Sequence, residues 1–289
     1  MPYNKLLGYY LNLVMKTMKF ISIIFVLFFT CFASAKKIEP AVNEKNQERR
    51  ILVLAGDYWC PYNCQPGGES PGYLVELIRR ALYIYRIDVE YRMMPWGDAL
   101  ALAEKGAIDG IIGVSSVKGR DLLTTRLPLE FSRTDAFTRN DTEWIYDGLG
   151  SLRGKKVGII LDYVVDEAIN HYVGINYPLN SGGFSVQEGK NAVIESIADL
   201  IDGDSDVYLE DSRVVQHYIT ENGLTPYIRN AGHVGRKKLP VYIAFSKKLP
   251  NAKRYIKYFI KGVSSLKATG EFDDLRLKYN MDRDEIDGS

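Results

Sequence analysis

Apolar and polar residues follow one another along the chain in blocks that predict alternating strands and helices. The first half predicts strands at residues 51–55, 89–93 and 108–114 and helices that begin near Pro71 and Pro95. The apolar run 51–55 suits a strand that is buried on both faces. Strand, helix, strand, helix, strand is the order of a parallel sheet with helices on its faces. The first half therefore predicts an α/β unit.

The same pattern restarts after a polar, Gly-rich stretch at residues 141–154, which we interpret as a linker. The second half predicts strands at 156–161, 207–209 and 241–245 and helices at 164–172, 191–201, 212–221, 252–269 and 271–279. Two α/β lobes in one chain create a cleft. In open parallel sheets, ligands bind beyond the carboxyl ends of the strands, so residues that follow the predicted strands are candidates for a site.

The N-terminus predicts export. Lys16 and Lys19 precede an uncharged apolar run at residues 20–32, and Ala33-Ser34-Ala35 follows it. This is the order of a secretory signal peptide, with cleavage expected after Ala35 and a flexible lead-in at residues 36–50. A retained anchor helix is the alternative, but the run is shorter than the roughly 17–25 residues that span a bilayer. We expect a periplasmic protein.

Composition and charge exclude some classes of partner. The 289 residues are 46% hydrophobic, which indicates a globular protein, and the net charge is +1. Cleavage would remove three lysines and no acidic residue, so the net charge of the mature chain would be about −2. That balance gives no electrostatic reason to expect nucleic acid or an anionic membrane as a partner.

Cys60 and Cys64 are the cysteines that remain after cleavage. An even pair in an oxidising compartment predicts a disulfide. A metal site is the alternative, but no histidine is near in sequence and two thiolates are too few ligands. A redox motif would need the tighter Cys-x-x-Cys spacing. We therefore expect no metal and no cofactor.

Aromatic, charged and hydroxyl side chains follow the predicted strands. The candidate ligand-binding residues are Tyr58, Trp59, Tyr62, Trp96, Ser115, Arg120, Asp162, Tyr163, Glu210 and Asp211. Rings stack on an organic solute, a guanidinium pairs with a carboxylate, and a carboxylate pairs with an amine. The set predicts a small polar or zwitterionic ligand.

Several short motifs together carry a family resemblance. They are Tyr58-Trp59-x-Pro61-Tyr62, the segment from Ser115 to Arg120, the segment at residues 152–158 and the Gly-x-x-Asp-x-x-x-x-Asp spacing at residues 203–211. In this order they resemble the extracellular solute-binding proteins of polar amino-acid uptake transporters of the ABC type. The resemblance covers residues 51–279.

The resemblance implies a two-lobed, periplasmic-binding-protein-like α/β fold, with two open sheets, a hinge and an interlobe cleft. Residues 51–138 plus 243–289 would form the first lobe and residues 139–242 the second. The protein would be a monomer that binds an amino acid or related zwitterion and delivers it to a membrane permease. It would not be an enzyme.

Carried over residue by residue, the resemblance implies that Arg120 and Ser115 hold a ligand carboxylate and that Asp211 holds an amino group. Trp96, Tyr58 and Tyr62 would pack on the ligand side chain. The chain departs from the family at Asp162-Tyr163, where the family usually has Gly-Thr or Gly-Ser. A more basic or a neutral solute therefore stays open.

Structural roles compete with these ligand roles. Arg120 would pair with Asp121, Trp96 would lie in the core, and Asp211 would cap the helix that follows it. A second function also stays open, a periplasmic enzyme resembling cyclohexadienyl dehydratase. In that case Glu210 or Asp162 would act as general acid, because burial raises the pKa of a carboxyl group.

Overall fold

The computed structural model describes residues 49–117, 120–179, 181–235 and 238–281. The predicted signal peptide, its cleavage site and most of the lead-in lie outside these residues.

The strands are β1 (Arg50–Gly56), β2 (Ile87–Met93), β3 (Gly110–Val114), β4 (Leu122–Thr124), β5 (Glu130–Ser132), β6 (Thr134–Arg139), β7 (Val157–Ile160), β8 (Phe184–Gln187), β9 (Val207–Asp211), β10 (Ile228–His233) and β11 (Leu239–Ser246). The helices are α1 (Tyr73–Tyr83), α2 (Trp96–Lys105), α3 (Glu167–Leu179), α4 (Ala192–Asp202), α5 (Ser212–Glu221), α6 (Ala252–Thr269) and α7 (Glu271–Lys278).

The first sheet has the order β2-β1-β3-β11-β4, and β5 pairs with β11. Strand β1 is parallel to β2 and β3, as the sequence predicts. Strand β11 runs antiparallel to β3, β4 and β5, so the sheet is mixed. This sheet and helices α1, α2, α6 and α7 form what we call the first lobe.

The second sheet has the order β10-β6-β9-β7-β8. Strand β7 is parallel to β8 and β9, whereas β6 runs antiparallel to β9 and β10. This sheet and helices α3, α4 and α5 form the second lobe. The two mixed sheets with flanking helices confirm the predicted α/β class.

The chain passes from the first sheet to the second at Arg133, between β5 and β6. Residues 134–138, which the sequence analysis places in the first lobe, therefore belong to the second sheet. The predicted linker at 141–154 lies inside the second lobe, where the Tyr146 amide donates to the Ala231 carbonyl over 2.8 Å. The whole of β11 belongs to the first sheet, so the chain re-enters the first lobe before residue 243.

Helices α1 and α6 pack closely against each other on the first sheet. Helix α1 turns a stripe of buried residues inward, including Leu74, Leu77 and Ile78. A Cβ added to Gly262 of α6 would come within 2.1 Å of the Ala81 carbonyl oxygen of α1. Only glycine permits this approach. No helix in the described ranges is long and apolar enough to cross a membrane.

Candidate functional site

A cavity lies between the two lobes, at the ends of strands from both sheets. Its volume is about 70 Å³. The first lobe supplies Asp57, Trp59, Asn63, Trp96, Leu100, Ile112, Gly113, Val114, Ser115, Ser116, Arg120 and Ser132, and the second supplies Thr134, Asp162, Tyr163, Val164, Val165, Leu209 and Glu210. The residues that follow β1, β3 and β7 thus meet Leu209 and Glu210 of β9 at one place, as expected for an α/β cleft.

The loop after β1 orients an aromatic ring toward this cavity. Cys60 and Cys64 form the predicted disulfide. Inside the loop, the Trp59 amide donates to the Asn63 carbonyl over 2.8 Å and the Asn63 amide donates back over 2.9 Å. Tyr62 stacks on Trp59 with ring centroids 4.2 Å apart. The covalent bridge, the paired amides and the stacked ring together fix the direction of the Trp59 indole.

Two side-chain hydrogen bonds cross the cavity in opposite senses. Trp59 Nε1 of the first lobe donates to Glu210 Oε1 of the second over 3.1 Å. The Tyr163 hydroxyl of the second lobe donates to Asp57 Oδ2 of the first over 2.5 Å. Each lobe therefore supplies one aromatic donor and one carboxylate acceptor. These crossed bonds connect the two lobes across the cavity.

Both carboxylates in these bonds are buried. Asp57 and Glu210 are each 4% exposed. Burial raises the pKa of Glu210 to about 7, although hydrogen bonds from the Asp211 amide and Trp59 partly oppose the rise. Burial likewise raises the pKa of Asp57 to about 6, against the opposing hydrogen bond from Tyr163. Burial disfavours the charged form of both groups because a charge loses its hydration there.

Most of the predicted site residues lie around the cavity. Those that line it are Trp59, Trp96, Ser115, Arg120, Asp162, Tyr163 and Glu210. Trp96 and Tyr163 meet edge to face, with ring centroids 6.4 Å apart and planes at 82°. The ligand roles of these residues stay predictions.

Asp211 does not line the cavity. Its Oδ1 accepts hydrogen bonds from the amides of Arg213 and Val214 over 2.9 and 3.1 Å, so it caps helix α5. Its Oδ2 accepts from the Arg133 amide and the Tyr62 hydroxyl, each over 3.2 Å. Both carboxylate oxygens of Asp211 therefore accept hydrogen bonds from the protein itself, and its amine-binding role stays a prediction.

Tyr58 and Tyr62 also lie away from the cavity. Tyr62 is fully buried behind Trp59, and its hydroxyl accepts a hydrogen bond from Arg213 Nη1 over 2.9 Å. Tyr58 packs partly buried against the hydrophobic core, and its amide donates to the Lys190 carbonyl across the lobes over 3.2 Å. The direct ligand contacts of these two rings stay predictions, and in this arrangement Tyr62 supports the Trp59 ring that lines the cavity.

Arg120 lines the cavity but already has an acidic partner. Its Nη1 lies 3.4 Å from Glu104 Oε1. The partner considered in the sequence analysis, Asp121, pairs with Lys247 instead, at 3.4 Å. Arg120 therefore lines the cavity while it pairs with Glu104, which does not line it.

Sequence reasoning missed Asp57 as a site residue. It is the first residue after β1. Its neighbours Tyr58 and Trp59 were chosen as candidates because they follow a predicted strand. It also missed Ser132 and Thr134, which flank the crossing between the lobes and line the cavity. Their strands were not predicted, so nothing in the apolar pattern indicated them. Within the described ranges, no group of three or more His, Cys, Asp or Glu side chains could hold a metal ion.

No protein-family model matches the chain, and no curated protein matches it. Solved structures do. A histidine kinase sensor domain with similarity to periplasmic binding proteins is 22% identical, with a TM-score of 0.65, and the match covers 81% of this chain and 97% of that one. The chain has the periplasmic-binding-protein fold. This confirms the fold that the sequence resemblance implied.

Other structures with this binding-protein fold were solved as amino-acid receptors. An ancestral arginine-binding protein is 18% identical, with a TM-score of 0.66 and coverage of 81% of this chain and 99% of that one. The arginine-, lysine-, histidine-binding protein ArtJ from Geobacillus stearothermophilus is 15% identical, with a TM-score of 0.65 and coverage of 80% and 94%. The structural similarity establishes the fold. At sequence identities this low it does not identify the ligand, which has to be inferred from the chemistry of the cavity.

Proposed function

We propose that this chain is a periplasmic solute-binding protein that captures a small polar solute, such as an amino acid or a related zwitterion, between its lobes. The proposal rests mainly on one observation. Aromatic and charged residues from both lobes surround one cavity, and the crossed hydrogen bonds of Trp59 and Tyr163 close the lobes over it. Closure removes water and strengthens polar contacts to an enclosed solute.

In this proposal, the side chains of Trp59, Trp96 and Tyr163 pack on the solute. Ser115 and Arg120 lie on the first-lobe side of the cavity and would hold a carboxylate. The partner that receives the solute would be the permease of an ABC importer, as the names of several structures with the same fold suggest. The protein would act as a monomer, without a cofactor.

Native mass spectrometry of the gently purified protein tests the proposal, together with thermal unfolding in a broad library of polar solutes. We expect one class of solute to raise Tm in a saturable way. Arg120→Ala should lower the affinity by roughly tenfold if it removes a charge-assisted hydrogen bond. Arg153→Ala, at an exposed position outside the cavity, should bind like the parent. If no solute copurifies and none raises Tm, the proposal is wrong.

One observation favours a second function, that of a periplasmic enzyme. A carboxyl group with a pKa of about 7, such as Glu210, is suited to general acid catalysis near neutral pH. The reaction to test is that of cyclohexadienyl dehydratase, with prephenate or arogenate as substrate. Product formation that Glu210→Gln abolishes would support the enzyme, and no product would exclude this reaction.

A further inference from the structure

We infer that the solute is an organic cation whose positive charge lies between Asp57 of the first lobe and Glu210 of the second. This inference rests on the proposed binding function and specifies its ligand class. It is carried by the charge balance of the cavity, by the way each carboxylate is held, and by the arrangement of the rings.

The charges that line the cavity are mostly negative. Asp57, Asp162 and Glu210 are acidic, and Arg120, the basic residue among the described lining, already pairs with Glu104. A larger cavity of about 330 Å³ shares Trp96 and Asp162 with the first. Its described lining adds Asp98 and Glu188 and contains no lysine or arginine. Both spaces therefore favour a positive solute.

Within the described residues, the buried carboxylates have hydrogen-bond donors but no cation beside them. Glu210 accepts from Trp59 Nε1, from the Asp211 amide over 2.7 Å and from the Tyr208 hydroxyl over 3.0 Å. Asp57 accepts from the Tyr163 hydroxyl. Across the described residues, no Lys, Arg or His nitrogen lies within 4.0 Å of either carboxylate. Neutral donors orient a carboxylate but do not compensate its charge.

Burying an uncompensated charge is costly, whereas a paired and hydrogen-bonded charge is tolerated. The raised pKa values of both groups express this cost. A cation that enters the cavity would supply the missing partner to a carboxylate on each lobe. Its binding would therefore favour closure.

The rings around the cavity present suitable surfaces. Trp96 and Tyr163 stand nearly perpendicular, so they form two adjoining walls, and Trp59 supplies a third ring. The face of an aromatic ring carries negative electrostatic potential and attracts ammonium and guanidinium groups. An anionic solute would meet repulsion from these faces and from the carboxylates.

The size of the cavity limits what it can enclose in the closed arrangement. A volume of about 70 Å³ corresponds to about five water-sized spheres. This suits an amine or guanidinium group with a few attached carbons. The remainder of a longer solute would pass Trp96 and Asp162 into the larger adjoining space.

Isothermal titration calorimetry of the mature protein at about pH 8 tests the inference. The probes are glutamate, glutamine, ornithine and 1,4-diaminobutane, which have similar length and a net charge that rises from negative to doubly positive. We expect ornithine, 1,4-diaminobutane or both to bind at least roughly tenfold more tightly than glutamate. Asp57→Asn and Glu210→Gln should each lower the affinity for the cations by roughly tenfold and change that for glutamine much less.

Glu143→Gln, which removes an exposed carboxylate outside the cavity, is the matched control and should bind like the parent. If either substituted protein fails to fold, the order of the probes on the parent protein decides. If glutamate or glutamine binds more tightly than both cations, the inference is wrong and the proposed binding function stands. If the four probes fail and only an anionic or neutral solute from the polar library binds, the inference is again wrong. If no solute binds at all, both proposals are wrong.

Discussion

Replacing Glu210 with glutamine should stabilise the folded protein, and increasingly so as the pH rises. The substitution keeps the shape of the side chain and an oxygen that accepts from Trp59 Nε1. It removes the ability to ionise. Because Glu210 is 4% exposed and no described cation lies beside it, ionisation of this group opposes folding.

The expected magnitude follows from the pKa. Burial raises the pKa of Glu210 from its ordinary 4.5 to about 7 in the folded protein. Between these values the folded chain binds more protons than the unfolded chain, so the free energy of unfolding falls as the pH rises. The stability is fully present below about pH 4.5 and is lost as the pH rises through about 7, and the loss amounts to about 3 kcal/mol.

The measurement is urea unfolding of the solute-free parent and of Glu210→Gln at several pH values from about 4 to about 8. The difference in unfolding free energy, variant minus parent, should grow by about 3 kcal/mol over this range. A constant offset from altered hydrogen bonds does not affect this growth. Glu143→Gln should show no such growth, because that carboxylate is exposed. If the Glu210→Gln difference stays constant or shrinks with rising pH, the conclusion that Glu210 is buried without a compensating cation is refuted.

Three further changes test other parts of the site. Asp211→Ala should lower the unfolding free energy by about 2 kcal/mol in urea, because it uncaps helix α5, and Asp211→Asn should lose less; equal losses would contradict the cap. Tyr163→Phe should weaken solute binding by roughly tenfold in calorimetry, because it deletes the bond to Asp57 that crosses the cavity, and unchanged affinity would contradict that role. Replacing both Cys60 and Cys64 with serine should cost about 2 kcal/mol of stability, as expected for a short closed loop, and an unchanged urea midpoint would exclude this contribution.

The sequence predicted the elements whose signals are local. Helices α2, α4 and α6 end at Gly106, Gly203 and Gly270, and all three glycines adopt the left-handed conformation expected at a helix end. Strands β1 and β3 were predicted from apolar runs, and β2 from a weak alternation between two helical segments. The disulfide was predicted from an even pair of cysteines that follow a predicted signal peptide.

Strand β6 could not be predicted in the same way. Its sequence, Thr134-Asp135-Ala136-Phe137-Thr138-Arg139, has no continuous apolar run, yet five of its six residues are buried. Its partner β9 lies far along the chain, so the pairing that makes it a strand is not visible locally. For this reason the sequence pattern did not indicate that β6 joins the second sheet.

The neighbouring acids Glu210 and Asp211 show the same limit within the site. Successive residues of a strand point to opposite faces, so only one of the two can face the cavity. The family resemblance selected Asp211, but helix α5 starts directly after it and uses its carboxylate as a cap. Which acid lines the cavity depends on that local competition, and the sequence pattern alone does not resolve it.

The topology of the two sheets bears on the order in which the two lobes can fold when the chain emerges with its N-terminus first. All strands of the second sheet come from one continuous stretch, residues 134–233, whereas the first sheet lacks β11 until residues 239–246 have emerged. Strand β11 is the partner of β3, β4 and β5. The second lobe can therefore assemble as a complete unit while the N-terminal half of the first still awaits its last strand, and a chain truncated before β11 would present unpaired strand edges at β3, β4 and β5.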